Sequence, residues 1–149
     1  MPQPASQPAP QPSLIDVAKA SVIAYNEKNW DAVRATLTSD AVYDEVSTAR
    51  RAQGVDDILA LWRGWAAALP DSKATFHYAV ASGNTVVLEL TWRGTHTGPL
   101  QTPKGEIAPT GKQVDLRACQ VIELVGGQVQ SIRQYFDIGT LLQQIGAAS

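Results

Sequence analysis

The sequence predicts an α+β domain: helices first, then one curved, mostly antiparallel sheet with those helices over its concave face. Three observations predict it. Apolar residues recur at helical spacing through most of 14–69, the period drops to two after Pro70, and glycine-bearing turns join the later segments in pairs. Helices that precede a run of long strands bury their apolar stripes by crossing one face of the sheet.

Each element has a local cause. Ser13, with Asp16 three residues on, fits the acidic form of a capping box. Leu14, Val17, Ala18, Ser21, Val22 and Tyr25 then recur at helical spacing. Asn29 caps a second, short helix from Trp30 to Leu37. Residues 41–46, AVYDEV, alternate as a strand does, and 49–54, ARRAQG, form its return. Ile58, Leu61, Trp62, Trp65 and Leu69 make an amphipathic stripe that Pro70 ends. The strands expected next are 73–82, 85–96, 113–125 and 128–137, with hairpin turns at Ser82-Gly83-Asn84 and Gly126-Gly127. Asp137 caps a last short helix that Gly146 stops.

The 149 residues, 44% hydrophobic and 17% charged, suit one soluble domain with its own core. The expected layout is a Pro/Gln-rich tail over 1–12 and a single domain over 13–149. The tail, MPQPASQPAPQP, lacks the positive and apolar regions of a secretory leader, so a cytoplasmic chain is expected. A net charge of −2 with no basic stripe argues against a nucleic-acid partner. No apolar run is long enough to span a bilayer, which argues against a membrane partner. Cys119 is the single cysteine, and neither CxxC nor HExxH occurs, so no internal disulfide and no metal site are expected.

A curved sheet roofed by amphipathic helices encloses a cone-shaped pocket, and strand parity decides which side chains enter it. In 85–96 the apolar set is Val86, Leu88, Leu90, Trp92, Gly94 and His96. In 115–121 alternation does not choose between Asp115, Arg117 and Cys119 on one face and Leu116, Ala118 and Gln120 on the other. The last strand offers Gln130, Ile132, Gln134 and Phe136, or Val129, Ser131, Arg133 and Tyr135. Tyr25, Trp62 and Trp65, core residues of the helices, also line such a pocket.

GTHTG (94–98), APTGK (108–112) and GGQVQSIRQYFDIGTLLQQIG (126–146), in that order, resemble the SnoaL-like polyketide cyclases over about 14–146. The resemblance implies the cystatin-like α+β cone shared with ketosteroid isomerases, limonene epoxide hydrolases and nuclear transport factor 2. That fold hosts enzymes and non-enzymes alike. The resemblance also implies aldol ring closure without metal or cofactor, run by an aspartate that a histidine assists, and a homodimer packed through the outer sheet surface. His96 matches the family's histidine. Asp115 is the acid that follows the P-T-G turn, behind an insert (99–107) longer than the family's. By likeness to the ketosteroid isomerases, Glu45 takes the general-base position, while Ser21 stands where those enzymes carry a tyrosine.

Aldol or isomerisation chemistry needs a base for a proton alpha to a carbonyl and a donor for the enolate oxygen. Desolvation in an apolar cone makes a carboxylate a better base. The expected catalytic set is therefore Asp115, His96 and Glu45. Tyr25, Trp62, Trp65, Leu88, Trp92, Arg117, Cys119, Gln134 and Phe136 are expected to hold a small hydrophobic, carbonyl-bearing ligand of polyketide-like or steroid-like kind. Arg117 beside Asp115 opens an alternative, water activation of the epoxide-hydrolase type, although Gln134 stands where a second acid is needed. Non-catalytic ligand binding and a solid-packed dimerisation module are the other readings. They are separated by whether His96 and Asp115 converge in a cavity.

Overall fold

The computed structural model describes residues 13–147; the expected N-terminal tail, 1–12, lies outside the described residues. Four helices and eight strands follow in the order α1 (Leu14–Asn26), α2 (Trp30–Thr36), β1 (Leu37–Glu45), β2 (Arg50–Gln53), α3 (Val55–Ala68), β3 (Lys73–Ser82), β4 (Thr85–Thr95), β5 (Leu100–Thr102), β6 (Gly105–Ile107), β7 (Gln113–Val125), β8 (Gln128–Phe136) and α4 (Ile138–Gln144). The caps read from the sequence are in place. Ser13 Oγ accepts from the Asp16 N–H at 3.1 Å, Asn29 Oδ1 from Ala32 at 3.1 Å, and Asp137 Oδ1 from Gly139 at 3.0 Å.

Six strands form one curved, unclosed sheet in the order β2-β1-β8-β7-β4-β3; β1 and β8 run parallel and the other neighbours antiparallel. α1 and α3 cover its inner face. Ala18, Val22, Ile58 and Trp62 from the helices pack with Leu88, Leu90, Ile122 and Ile132 from the strands. The side chain of Asn26 fastens α1 to the edge strand, accepting from Ala74 N at 2.8 Å and donating to Ala74 O at 3.1 Å. At the other end a second cluster gathers Leu69, Leu100, Val114, Leu141 and Ile145. The insert at 99–107 becomes a small hairpin, β5-β6, pinned by Leu100, which is buried in that cluster.

Two registers position everything that follows. In β4 and β7, Trp92 lies opposite Leu116 and Arg93 opposite Asp115. Between β7 and β8 the register slips after Glu123, leaving Gln130 as an extra residue. The buried positions of β8 are therefore Val129, Ile132 and Gln134, which matches neither of the two strictly alternating sets.

Candidate functional site

Between α1, α3 and the concave sheet lies a cavity walled mainly by aromatic and aliphatic side chains. Its enclosed part has a volume of about 80 Å³, and its open mouth brings the empty space to about 750 Å³. The enclosed part has room for about half a dozen waters. Its rings brace one another edge to face: Tyr25 on Trp92 at 5.2 Å, Tyr43 on Trp62 at 5.3 Å, and Trp65 on Phe136 at 6.1 Å between centroids. Such pairs add about 0.5–1.5 kcal/mol each beyond area burial and hold the wall in one shape.

Polar groups cross this wall in one connected chain. Gln120 Nε2 donates to Gln134 Oε1 at 2.8 Å, and Trp92 Nε1 donates to the same oxygen at 3.0 Å. Gln134 Nε2 donates to Tyr43 Oη at 2.7 Å, and the Tyr43 hydroxyl donates to Glu45 Oε2 at 2.9 Å. Glu45 is fully buried behind the cavity wall. Trp65 Nε1 donates to it at 2.8 Å, Thr48 Oγ1 at 2.6 Å, and Arg50 through Nε at 3.2 Å and a terminal nitrogen at 2.7 Å. Five hydrogen bonds, two of them from the Arg50 guanidinium, converge on this carboxylate and make it an anchor of the wall.

On the helix side, Ser21 and Tyr25 sit one turn apart on α1, and Tyr25 Oη pairs with Ser72 Oγ at 2.7 Å. Burial pushes the Tyr25 phenol up to about 12, against a smaller pull from the Ser72 hydroxyl. Tyr43 is raised well above the usual value as well, by burial first and then by the Glu45 carboxylate. The sign of the pH effect follows. The unfolded Tyr25 phenol ionises near 10.0, so between 10.0 and about 12 the unfolded chain gives up a proton that the folded chain keeps. Stability is full below that range and falls as pH rises through it. Tyr25→Phe should remove part of that alkaline loss while leaving the pH dependence below 10 unchanged, as read by urea midpoints along a pH series.

The expected catalytic pair does not come together. Asp115 lies on the outer face of the sheet, its side chain 63% exposed, and pairs with Arg93 at 2.9 Å. Its neighbours Val114 and Leu116 face the cavity, as does Gln120 further along β7. Arg117 and Cys119 share the outer face with Asp115 and border a shallow depression beside Tyr78, Glu89 and Tyr135. These three placements correct the expectation, and the cause is strand parity: β7 turns its apolar set, from Val114 to Leu124, inward.

His96 follows the inner parity of β4 and is completely buried, yet it does not line the cavity. Thr110 approaches its Nδ1 with both Oγ1 at 3.0 Å and the backbone N–H at 3.3 Å. The turn it starts grips the end of α3, with the N–H groups of Thr97 and Gly98 both reaching Ala68 O, at 3.1 and 3.0 Å. GTHTG is thus a clamp on a helix terminus in this fold. Leu88, expected as a ligand contact, is fully buried core beneath the cavity.

Tyr25, Trp62, Trp65, Trp92, Gln134 and Phe136 do line the cavity. Sequence reasoning missed Tyr43, Gln120 and Ser72 as parts of its wall. Two signals were available. Tyr43 shares the parity of Glu45 in AVYDEV. Gln120 belongs to the β7 set free of charge, whereas the other set carries Asp115 and Arg117.

The family model for the SnoaL-like polyketide cyclases matches residues 15–145, nearly all of the described chain. The chain belongs to the SnoaL-like polyketide cyclase family. Solved structures of similar shape agree on the fold of this SnoaL-like protein. A protein of Jannaschia Sp. CCS1 assigned as a SnoaL-like polyketide cyclase has a TM-score of 0.76 at 19% identity, covering 95% of this chain and 100% of its own. IdmH of Streptomyces antibioticus, assigned as a polyketide cyclase, has a TM-score of 0.75 at 22% identity, covering 89% and 98%. A ketosteroid isomerase-like protein from Catenulispora acidiphila DSM 44928, in complex with trimethylamine, has a TM-score of 0.74 at 18% identity, covering 88% and 92%. No curated protein sequence matches the chain. Among the described residues no helix is long and apolar enough to cross a membrane.

Proposed function

We propose that this SnoaL-like protein binds a compact, mainly apolar, oxygen-bearing small molecule in its cone, holding it with neutral hydrogen-bonding groups. One observation carries the reading: an aromatic-walled cavity whose polar lining consists of amides, hydroxyls and indoles, with no carboxylate and no histidine among its described lining residues. Arg93, the one charged lining residue, has its guanidinium bound to Asp115, and its side chain is 56% exposed. Counting its open mouth, the cavity admits a skeleton of about two fused rings. The test is calorimetric titration with 2-tetralone. Saturable binding should survive Asp115→Asn, which alters only the outer face, and disappear in Leu116→Trp, which fills the cavity. Binding that persists in Leu116→Trp would overturn the assignment of the site.

A second reading, cofactor-free acid–base turnover of the cyclase or isomerase type, draws support from family membership and from Tyr43, whose hydroxyl links the lining to Glu45. It predicts faster exchange of the alpha protons of 2-tetralone in D2O, lost in Tyr43→Phe. Exchange at the background rate favours binding alone. Water activation of the epoxide-hydrolase kind has less support, since Asp115 and Arg117 stand outside the cavity. A homodimer across the outer sheet face belongs to the same reading, because Tyr78, Glu89, Cys119 and Tyr135 form one row there and both tyrosines are exposed. A monomer in sedimentation velocity would remove it.

A further inference from the structure

The orientation of the buried amides names a chemical feature of the ligand. Among the described residues, four buried side-chain atoms lack a hydrogen-bond partner: Ser21 Oγ, Thr38 Oγ1, His96 Nε2 and Gln120 Oε1. Ser21 and Gln120 are cavity-lining residues, 1% and 3% exposed. Buried polar atoms are nearly always paired in folded proteins, so two orphans in one cavity wall point to a partner that the protein itself does not supply.

Which atom of Gln120 is left over depends on which way its amide faces, and two amide orientations are usually hard to tell apart. Here a one-way donor settles both. An indole N–H donates and never accepts. Trp92 Nε1 lies 3.0 Å from Gln134, so the atom it meets is the Gln134 oxygen. The Gln134 nitrogen then faces Tyr43 Oη at 2.7 Å, and the single tyrosine proton is directed to Glu45, whose other contacts are all donors. Gln120 meets that same Gln134 oxygen at 2.8 Å, so it must do so with its NH2 group. Its carbonyl oxygen is the atom left without a partner. Turning Gln120 over would set two carbonyl oxygens against each other.

The α1 side of the cavity is hydroxylic. In the Tyr25–Ser72 pair one hydroxyl donates, and the one that accepts keeps its own proton free. Ser21, one helical turn from Tyr25, adds a hydroxyl that can give or take.

We infer that the cone selects a neutral ligand carrying an O–H or N–H that it donates to Gln120 Oε1, with an oxygen toward Ser21, Tyr25 and Ser72. The inference rests on the reading of the cavity as a small-molecule site. A phenol or hydroxy-ketone of bicyclic size has the required groups, whereas a hydrocarbon or a molecule with acceptors alone leaves the Gln120 carbonyl buried and unpaired. Charged ligands find no free counter-charge in the described lining.

The experiment compares 2-naphthol, 2-fluoronaphthalene and naphthalene by isothermal titration calorimetry on the full chain. The fluoro compound has nearly the shape of the naphthol and lacks the donor. The naphthol should bind about tenfold or more tightly than either analogue, because only it satisfies the buried carbonyl. Gln120→Met, which keeps the volume and removes the acceptor, should bring the three affinities to within a few fold. Without a waiting acceptor the naphthol should bind more weakly than the fluoro compound, since its hydroxyl would leave water unpaired. Equal or inverted wild-type affinities overturn the inference and leave the cavity a ligand site. A naphthol preference that persists in Gln120→Met overturns it too. Failure of all three probes to bind overturns both readings. If the Met variant does not fold, the wild-type ratio decides alone.

Discussion

Gly98→Ala should lower stability by about 3 kcal/mol, and the melting midpoint by roughly 10 °C. The turn that holds His96 passes so close to α3 that a Cβ at position 98 would lie 1.9 Å from Ala67 O and 2.9 Å from Ala67 C. Both atoms are backbone, in the last turn of a helix whose C-terminal carbonyl is already held by Thr97 and Gly98. Neither side can rotate away, so the methyl must part the turn from the helix and break that grip. The requirement is for space, since Gly98 is not among the residues with positive φ. Gly64→Ala, within α3 itself, is the control. A Cβ there meets nothing within 4 Å, so the change should be neutral or stabilise by up to about 1 kcal/mol through helix propensity. A Gly98→Ala protein that melts within a degree or two of wild type would show that the close approach is absent.

Glu45→Ala should cost about 3–5 kcal/mol in urea unfolding. The carboxylate is completely buried, and its removal leaves the Tyr43 hydroxyl, the Thr48 hydroxyl and the Trp65 indole without an acceptor. It also strands Arg50, two-thirds buried and lying over the Trp65 ring at 5.6 Å. Glu45→Gln should recover only part of the loss, because either orientation of the amide turns NH2 toward donors. The comparison is Asp115→Ala. Its ion pair with Arg93 is more than half exposed on both sides, and such pairs contribute about 0–1 kcal/mol. The two acids thus carry opposite weights: the one read from sequence as the main catalytic group is a surface partner, and the other anchors the cavity wall. A Glu45→Ala loss below about 1 kcal/mol would mean that water reaches the carboxylate.

The same contrast shows how much of the site was legible. Glu45 is legible only through the likeness to the general-base position of ketosteroid isomerases. Its five donors come from β1, the turn after it, β2 and α3, and no sequence pattern joins those segments. Asp115 takes the family's aspartate position because it is the acid that follows the P-T-G turn. In β7 one residue of parity separates the two faces of the sheet, and the apolar set from Val114 to Leu124 faces inward, leaving Asp115 outside. In β8 the extra residue at Gln130 changes the phase, so neither alternating set could be right. Trp62, Trp65 and Tyr25 were legible because a large ring on the apolar stripe of a helix has only the core to enter.

Caps, periods and turns depend on residues a few positions apart. Ser13, Asn29 and Asp137 accept bonds within three residues, and the drop to a period of two after Pro70 is written in consecutive side chains. For that reason the order of the main elements, their approximate bounds and the α+β class were determined by the sequence alone, while the small β5-β6 hairpin in the insert was not. The cavity depends on something else. Gln134 meets Tyr43 across 91 residues and Trp92 across 42, and Tyr25 meets Ser72 across 47. Those bonds exist only once a parallel β1–β8 pair, a slipped β7–β8 register and two helices have been stacked on one face. Tertiary structure decided which amide oxygen was left free, because hydrogen bonding over such separations is set by where the strands lie and not by what lies beside them in the chain.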